Sequence, residues 1–377
     1  MRVAVIFGGR SGEHEVSLMS ARGIMAAIDK TKYEVLPVGI TKEGRWIASG
    51  DPLRALQSGL AEGETKPTAL LGDPSQRGLL GLEEGQPACP ECSRRGLRAT
   101  RLTEVDVVFP VLHGPYGEDG TIQGLLELAD LPYVGAGVTG SALGMDKIVQ
   151  KTVLRAYGLP VADFMPVLRK DWESDPDAVI DRVLKTLGCP CFVKPANLGS
   201  SVGISKVHVP AELPAALDEA ARYDRKLLVE EAIDGREIEL SVLGNDDPLA
   251  SIAGEIIPCN EFYDYEAKYI ADDSELLIPA PISDELTHRF QEMAVQAYKA
   301  LDCAGMARID FFLERGTDEI YVNELNTIPG FTPISMYPKL WVASGISYTE
   351  LIDRLIELAL ERHQDKSRSE TSYAPKD

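Results

Sequence analysis

Residues 305–326 constrain the fold more than any other part of the sequence, because they predict an antiparallel hairpin with a defined register. Two strands with alternating apolar residues, 305–313 and 319–325, flank a turn at Gly316-Thr-Asp318. The segment folds back symmetrically about Thr317. This symmetry predicts which residues of the two strands lie opposite each other.

The predicted register places Asp310 opposite Glu324 and Arg308 opposite Asn326. Because side chains along a strand alternate between its faces, all four are expected on one face. The opposite face is apolar, as a core requires, and consists of Ile309, Phe311, Val322 and Leu325.

Oxygen ligands on one face of a hairpin predict a magnesium site. Cross-strand Cβ atoms lie about 5 Å apart, so that Asp310, Glu324 and Asn326 can share one or two divalent ions. Mg²⁺ prefers such oxygens and takes its remaining ligands from water and phosphate. The alternative is a solvated hairpin face with ordinary ion pairs.

Length and charge limit the classes of protein that remain. With 377 residues, the chain exceeds the size at which one hydrophobic core stops growing, so we expect two or three domains. The formal net charge of -21 disfavours nucleic acid and anionic lipid as partners. No apolar run is long enough to span a bilayer, and Met1 to Gly9 predicts a first strand and not a secretory leader. A cytoplasmic protein is expected.

The six cysteines are scattered and predict reduced thiols. Cys89 and Cys92 form half of a zinc knuckle, but no second Cys or His pair lies nearby, and a closed site needs four ligands. Structural zinc is therefore disfavoured.

The first third of the chain predicts an α/β domain with a mostly parallel sheet. An apolar strand (3–7) leads through a glycine-rich loop into a helix (16–28). Further elements are strands 33–40, 105–112 and 133–135 and helix 121–129. Residues 50–100 are rich in Gly, Pro and charge and are interpreted as an insertion.

The rest of the chain alternates helices and strands in the manner of α+β domains. Predicted helices span 145–157, 177–187, 211–221, 284–301 and 348–361, and predicted strands span 191–194, 204–207, 226–231, 237–243 and 250–258. The polar loop 260–275 exceeds the usual loop length and is a candidate lid.

Several residues outside the hairpin could bind an anionic ligand. Lys147 lies at a helix start and Lys194 at a strand end, and the small residues 199–203 after Lys194 could close over phosphates. The sequence lacks the Gly-Lys-Ser/Thr of a P-loop. Backbone groups of 230–233 could bind an adenine and Glu237 a ribose.

The loop 8–12 lacks the G-x-G-x-x-G spacing of a dinucleotide site, so NAD is disfavoured. Glu15, just before a helix, could bind a substrate ammonium group or serve only the helix dipole. His113 lies at a strand end where ligand-contacting loops emerge, although a structural role is the commoner one for a single histidine.

Taken in order, eight segments closely resemble the D-alanine–D-alanine ligases of the ATP-grasp superfamily. They are Glu-His-Glu15-Val-Ser17, His113-Gly-Pro-Tyr-Gly-Glu-Asp-Gly120, Asp146-Lys147, Val-Lys194-Pro, Gly-Ser200-Ser-Val-Gly, Phe262-Tyr-Asp-Tyr-Glu-Ala-Lys268-Tyr269, Arg308-Ile-Asp310 and Asn323-Glu324-Leu-Asn326-Thr-Ile-Pro-Gly330. The resemblance covers residues 3 to about 360. It departs only at the 50–100 insertion and the tail.

This resemblance implies a three-domain ATP-grasp architecture that joins two D-alanines at the expense of ATP. The implied domains are an N-terminal parallel-sheet α/β substrate domain (1–137), a central α+β lid domain (138–233) and a C-terminal α+β metal domain with an antiparallel sheet (234–377). ATP is expected between the second and third domains, and the D-alanines between the first and third. A homodimer is also implied.

The resemblance further assigns roles to individual residues. ATP would contact Lys147, Lys194, Ser200, Ser201, Glu230, Glu231, Ile233, Glu237 and Lys268, and two Mg²⁺ or Mn²⁺ ions would be held by Asp310, Glu324 and Asn326. The first D-alanine would meet Glu15, with Ser200 and Tyr269 linked to it by hydrogen bonds, and His113 would line its site. Ser335 and Met336 would bind the carboxylate of the second D-alanine, and Arg308 and the N–H of Gly330 would stabilise the tetrahedral oxyanion.

Three alternatives remain open on the sequence. A related ATP-grasp ligase could use D-lactate or D-serine as the second substrate, although Tyr269 favours the dipeptide, because ester-forming relatives often carry Phe there. A glutathione-synthetase-like ligase would share the hairpin and the lysines but not the Glu-His-Glu-Val-Ser segment. A nucleotide-binding module without turnover is the third.

Overall fold

The computed structural model describes residues 1–58, 66–87, 95–199, 202–257, 275–332 and 334–370. They form two compact units. Unit 1 contains Met1–Gly135, Gly330–Pro333 and Ser347–Asp377, and unit 2 contains Ala136–Pro329 and Ile334–Ile346. The three-domain division stays a prediction.

Unit 1 is built on a four-stranded sheet with the order β3-β2-β1-β7. Its elements are β1 (Arg2–Gly8), α1 (His14–Ala27), β2 (Glu34–Ile40), β3 (Trp46–Ile47), α2 (Pro52–Ser58), β4 (Thr68–Leu70), β5 (Gly78–Pro87), β6 (Arg95–Glu104), β7 (Val107–Val111), α3 (Thr121–Leu128) and α11 (Tyr348–Lys366). β1 pairs in parallel with β2 and β7. β1 and β7 are almost continuously apolar and buried, as a parallel sheet covered on both faces requires.

The last helix, α11, packs on unit 1 although it lies more than 300 residues from the first strands. Lys32 Nζ donates to Asp353 Oδ2 at 2.6 Å, and Thr349 Oγ1 donates to the Ala27 carbonyl at 2.9 Å. Farther along α11, the Arg362 guanidinium stacks 4.3 Å from the centroid of the Tyr133 ring. Helix α11 is therefore part of unit 1.

The predicted insertion, 50–100, contains more regular structure than the sequence indicated. Besides α2, it contributes β4, β5 and most of β6 to a three-stranded antiparallel sheet. Among the side chains that the structure describes in this sheet, the buried apolar ones are Leu70, Leu79 and Leu80, and so few of them give only weak periodicity. Cys89 and Cys92 lie outside the described residues.

Unit 2 contains two antiparallel sheets, with the orders β10-β9-β11-β8 and β15-β14-β12-β16-β17, the short β13 pairing with β12. Its strands are β8 (Phe164–Leu168), β9 (Cys191–Pro195), β10 (Ser205–Val207), β11 (Lys226–Glu231), β12 (Gly235–Gly244), β13 (Leu249–Ala250), β14 (Gly254–Ile257), β15 (Glu275–Leu277), β16 (Gly305–Glu314) and β17 (Ile320–Asn326). Its α-helices are α4 (Val138–Met145), α5 (Lys147–Ala156), α6 (Arg169–Ser174), α7 (Pro176–Thr186), α8 (Leu213–Tyr223), α9 (Asp284–Ala300) and α10 (Met336–Ala343). Together with unit 1, this confirms the predicted mixture of α/β and α+β architecture.

Some predicted elements were wrong in extent. The helix predicted over 145–157 begins at Lys147, because Asp146 is extended and its carboxylate caps α5 by accepting from Ile148 N and Val149 N, each at 3.2 Å. The strand predicted at 133–135 is only an isolated bridge between Val108 and Tyr133. The strand predicted over 250–258 is split into β13 and β14.

Cys189, Cys191 and Cys303 are free thiols, as expected. No helix in the described part of the chain is long and apolar enough to cross a bilayer.

Candidate active site

A cleft in unit 2 collects most of the predicted nucleotide and metal residues. It is lined by both sheets of the unit, by the N-terminal end of α5 and by the loop after β9. The lining residues include Lys147, Lys194, Gly199, Glu230, Glu231, Ile233, Glu237, Glu239, Asp310, Asn323, Glu324 and Asn326. The apolar part of the lining includes Phe192, Ile204 and Phe312, which suits a flat ring such as a purine.

The hairpin β16–β17 has the predicted register at its polar end. Arg308 lies opposite Asn326, and Asp310 lies opposite Glu324. Nearer the turn the pairing shifts by one residue, because a bulge at Asn323 sets Phe311 opposite Val322. The bulge changes the side-chain phase, so that Val322 and Leu325 both enter the core while Glu324 and Asn326 both line the cleft.

Arg308 and Asp310 form a bidentate pair on one face of β16. Arg308 Nε and Nη2 donate to Asp310 Oδ1 and Oδ2, each at 2.7 Å. Asn326 Nδ2 donates to Asp310 Oδ2 at 3.0 Å, and Arg308 Nε lies 3.1 Å from Glu239 Oε2 on β12. Two predicted metal ligands therefore touch, and the predicted oxyanion donor lies beside them.

Lys147 reaches both the hairpin and the glycine-serine loop. Its Nζ lies 3.4 Å from Glu324 Oε2 and donates to the Leu198 carbonyl at 2.9 Å. As the first residue of α5 it is fixed by the Asp146 cap, and its ammonium group can neutralise an anion in the cleft.

A second group of charges consists of two lining residues of the cleft, Glu230 and Lys194, together with the buried Lys151. Glu230 forms ion pairs with Lys151, whose Nζ lies 2.9 Å from Glu230 Oε2, and with Lys194. Burial alone would raise the pKa of Glu230, but the two ammonium groups outweigh it and lower this pKa to about 2. Burial is likewise outweighed at Lys194, whose pKa is raised by Glu230. The Glu230 carboxylate is thus held by ion pairs with two lysines.

This arrangement makes unfolding depend on pH. Because the folded pKa of Glu230 lies below its ordinary value of 4.5, the stabilisation is complete above pH 4.5 and is lost as pH falls toward 2. Between pH 5 and pH 3 we expect this group to account for a loss of about 2 kcal/mol in the free energy of unfolding. Urea titrations should show a smaller loss in Glu230→Gln than in wild type. The exposed Glu319→Gln should lose as much free energy of unfolding between pH 5 and pH 3 as wild type does. An equal loss in all three proteins would contradict the lowered pKa of Glu230.

The predicted metal ligands fit a magnesium or manganese ion that also binds phosphate. Asp310, Glu324 and Asn326 supply two carboxylates and one amide oxygen from adjacent positions on two paired strands. No group of three or more His, Cys, Asp and Glu side chains suited to a metal occurs in the described residues. A site with two carboxylates and an amide is incomplete by itself, which suits Mg²⁺, since this ion usually keeps waters and substrate phosphates as ligands.

The residues predicted for the first amino acid lie in unit 1. Glu15 is in the first turn of α1 and not before it, because the helix begins at His14; its carboxylate lies 2.9 Å from Lys42 Nζ and is exposed. His113 follows β7 and is buried, with its Nε2 3.2 Å from Ser20 Oγ.

Ser20 connects His113 to the segment that contains Gly330. The Phe331 N–H donates to Ser20 Oγ at 3.1 Å, so His113 and the main chain after Gly330 meet at one hydroxyl. The neighbouring loop is shaped by Gly8, whose φ is +91° and whose added Cβ would lie 2.2 Å from the Ile40 carbonyl oxygen. The chain turns sharply there to bring the loop beside β2.

Ser335 and Met336 lie at the N-terminal end of α10. Ser335 is the N-cap residue, and the Met336 side chain is buried in a small core cluster with Ile256 and Leu340. Met336 can therefore contact a ligand through its main-chain N–H, which lies at the N-terminal, positively charged end of α10. Ser200, Ser201, Lys268 and Tyr269 lie outside the described residues, as does most of the candidate lid.

Three buried polar residues of this region were missed in the sequence. They are Glu239 beside Arg308, Lys151 beside Glu230, and Gln150 beside β17. The sequence contained a signal for Lys151, which lies one helical turn after Lys147 and so projects from the same side of α5. Glu239 could have been found from its period-two spacing with Glu237 on one strand.

Comparisons with known proteins agree along nearly the whole chain. The models for the D-ala D-ala ligase N-terminus and C-terminus match residues 2–136 and 153–357. The D-alanine–D-alanine ligase of Thermoanaerobacter pseudethanolicus is 55% identical over 368 residues, covering 97% of this chain and 98% of the relative. That of Natranaerobius thermophilus is 50% identical over 374 residues, covering 99% of each.

Two solved structures are also similar. The D-alanine–D-alanine ligase from Coxiella burnetii has a TM-score of 0.81 at 40% identity and covers 98% of this chain and 96% of its own. The VanG D-Ala:D-Ser ligase from Enterococcus faecalis has a TM-score of 0.82 at 37% identity, covering 95% of this chain and 99% of its own. The chain therefore belongs to the D-alanine–D-alanine ligase family and has its ATP-grasp fold.

Proposed function

We propose that this enzyme joins two D-alanines to D-alanyl-D-alanine with consumption of ATP, for the synthesis of peptidoglycan precursors. The observation that carries the proposal is one cleft in which Asp310, Glu324 and Asn326 meet Lys147 and Lys194, in a chain of this family. In a protein with a formal net charge of -21, Lys147 and Lys194 provide the local positive charge that binding of a polyphosphate requires.

ATP is proposed to lie along the cleft. Lys147 and Lys194 bind its phosphates, and the glycine-serine loop with Ser200 and Ser201 covers them. The main chain from Glu230 through Glu231 to Ile233 binds the adenine. The Glu237 carboxylate binds the ribose, and Lys268 is a further ATP contact.

Asp310, Glu324 and Asn326 are proposed to hold two Mg²⁺ or Mn²⁺ ions. Bound there, the ions would neutralise phosphate charge and orient the γ-phosphoryl group. Both carboxylate oxygens of Asp310 accept hydrogen bonds from Arg308, so binding a metal through Asp310 would weaken this ion pair. Arg308 would keep its ion pair with Glu239.

The two D-alanines are proposed to contact the residues that the family resemblance assigns to them. Glu15 binds the ammonium group of the first D-alanine, with Ser200 and Tyr269 linked to it, and His113 lines its site. The N–H of Met336 and the hydroxyl of Ser335 bind the carboxylate of the second D-alanine.

The reaction then has two steps. A carboxylate oxygen of the first D-alanine attacks the γ-phosphorus, the bond to the leaving ADP oxygen breaks, and an acyl phosphate forms. The deprotonated amine of the second D-alanine attacks the acyl carbon, and inorganic phosphate leaves as the peptide bond forms. Arg308 and the N–H of Gly330 stabilise the tetrahedral oxyanion between attack and departure.

The acyl phosphate must be shielded from water. The loop 260–275 with Lys268 and Tyr269 is the predicted lid, and this role stays a prediction. The homodimer and the cytoplasmic location also stay predictions.

The central test is ADP formation that requires D-alanine. Wild-type protein with ATP and Mg²⁺ should release ADP and phosphate only when D-alanine is added, and mass spectrometry should detect the dipeptide. Nucleotide binding without D-alanine-dependent ADP release would instead support the module without turnover.

The choice of second substrate is a separate prediction, motivated by Tyr269 and by the similarity to a protein named as a D-Ala:D-Ser ligase. With equal D-alanine, D-serine and D-lactate at neutral pH, we expect D-alanyl-D-alanine to be the most abundant product. Tyr269→Phe should raise the share of ester. A dominant ester or D-alanyl-D-serine product in wild type would overturn this choice.

A further inference from the structure

The outer edge of β17 presents main-chain groups that no strand in the described residues pairs. β17 is the last strand of the six-stranded sheet, with β16 on its inner side. An edge strand that must hold ligands precisely needs another partner for its outer N–H and carbonyl groups. Here α5 and the chain after it supply this partner.

The side-chain amide of Gln150 on α5 makes the two main-chain hydrogen bonds to Leu325 that a neighbouring strand would otherwise make. The Leu325 N–H donates to Gln150 Oε1 at 3.1 Å, and Gln150 Nε2 donates back to the Leu325 carbonyl at 3.0 Å. The same Nε2 also donates to the Gly144 carbonyl at 2.7 Å. Gln150 is only 1% exposed, so water cannot replace these bonds cheaply.

Lys151 forms a hydrogen bond to the adjoining bulge at Asn323. Its Nζ donates to the carbonyl of Asn323, the bulge residue, at 3.0 Å while also pairing with Glu230. Lys151 is 2% exposed. Just before the bulge, the Val322 N–H donates to the Pro160 carbonyl at 2.8 Å. Glu324 thus lies between two main-chain positions, 323 and 325, that are both anchored by buried side chains of α5.

We infer that Gln150 and Lys151 are positioning residues that hold β17 in the register where Glu324 and Asn326 face Asp310. Neither belongs to the described lining of the cleft, so they act through the strand and not on the ligand. The inference rests on the metal role given to Glu324 and Asn326 in the proposed function.

Charge and position predict opposite effects for Lys151. Removing a cation near Glu324 would tighten the binding of a divalent cation if only charge mattered. Loss of the anchor on Asn323 would instead weaken binding, because Glu324 would no longer be fixed. The sign of the change therefore separates the two explanations.

The experiment measures Mn²⁺ binding directly. Full-length wild type, Gln150→Met and Lys151→Met are titrated with Mn²⁺ in the presence of a non-hydrolysable ATP analogue, and free Mn²⁺ is followed by electron paramagnetic resonance. We expect the apparent Kd for Mn²⁺ to rise about 10-fold or more in both variants, the effect typical of residues that orient metal ligands. Thr152→Val, an exposed neighbour on α5, should bind as wild type does.

Circular dichroism melts establish that each variant is folded before it is titrated. Gln150→Met leaves the buried charges intact and carries the test alone should Lys151→Met not fold. Unchanged or tighter Mn²⁺ binding in folded Gln150→Met overturns the inference. A wild type that binds no Mn²⁺ with nucleotide and releases no ADP with D-alanine overturns the proposed function, and the inference falls with it.

Discussion

Glu324→Gln is expected to lower D-alanine-dependent ADP formation by about 100-fold, close to 3 kcal/mol of transition-state stabilisation. The substitution keeps the size of the side chain but removes the charge that lies opposite Asp310 and 3.4 Å from Lys147 Nζ. If Glu324 binds the metal, the Mg²⁺ concentration for half-maximal rate should rise as well. Steady-state rates over a Mg²⁺ series measure both effects.

The matched control is Glu319→Gln, which makes the same change at an exposed position in the turn of the same hairpin. It should retain the wild-type rate and the wild-type Mg²⁺ dependence. Wild-type turnover of Glu324→Gln at saturating Mg²⁺ would remove Glu324 from the site. A reduced rate with an unchanged Mg²⁺ dependence would limit Glu324 to its ion pair with Lys147.

Arg308→Lys is expected to reduce kcat by about 100- to 1,000-fold, the cost of losing one donor to a developing oxyanion. Lysine keeps the charge but cannot reproduce the planar fork that binds both oxygens of Asp310. Because the loss falls on a transition-state contact, kcat should fall much more than the KM for ATP rises. Single-turnover quench experiments with labelled ATP can measure the chemical steps directly.

Arg315→Lys is the control, because Arg315 is an exposed arginine in the turn whose partner Asp234 is also exposed. Its kinetics should match those of wild type. Should Arg308→Lys change only the KM for ATP, Arg308 would be a nucleotide contact, and the oxyanion role would have to be abandoned.

The existence of the hairpin could be predicted because its determinants are local. A turn near Gly316–Asp318 and a strand period of two predicted the hairpin, while the pairing of Asp310 with Glu324 also depends on a bulge. The bulge at Asn323 was not predicted, since the groups bound to its main chain and to that of Val322 belong to Lys151 and Pro160, which are distant in the sequence. The symmetric fold about Thr317 was correct at the polar end because the bulge adds one residue before that end is reached.

Other parts of the structure could not be predicted from local sequence patterns. Lys151 and Glu230 stabilise each other across 79 positions in the sequence, so that neither residue alone distinguishes a buried pair from a solvated charge. The sheet β4-β5-β6 was missed because those of its buried apolar side chains that the structure describes give no clear alternation. His113 was located correctly at the end of a strand, whereas Glu15 lies inside the first turn of α1 and not before it. The substrate contacts of both residues remain proposals.

The packing of α11 on the first strands has a consequence for biosynthesis. While a ribosome is still adding residues 347–366, the emerged part of unit 1 lacks the helix whose Asp353, Thr349 and Arg362 contact Lys32, Ala27 and Tyr133. Pairing across such a separation makes folding slow and not strictly vectorial. A nascent chain arrested before residue 347 should therefore be far more sensitive to protease in its first 135 residues than the released polypeptide is.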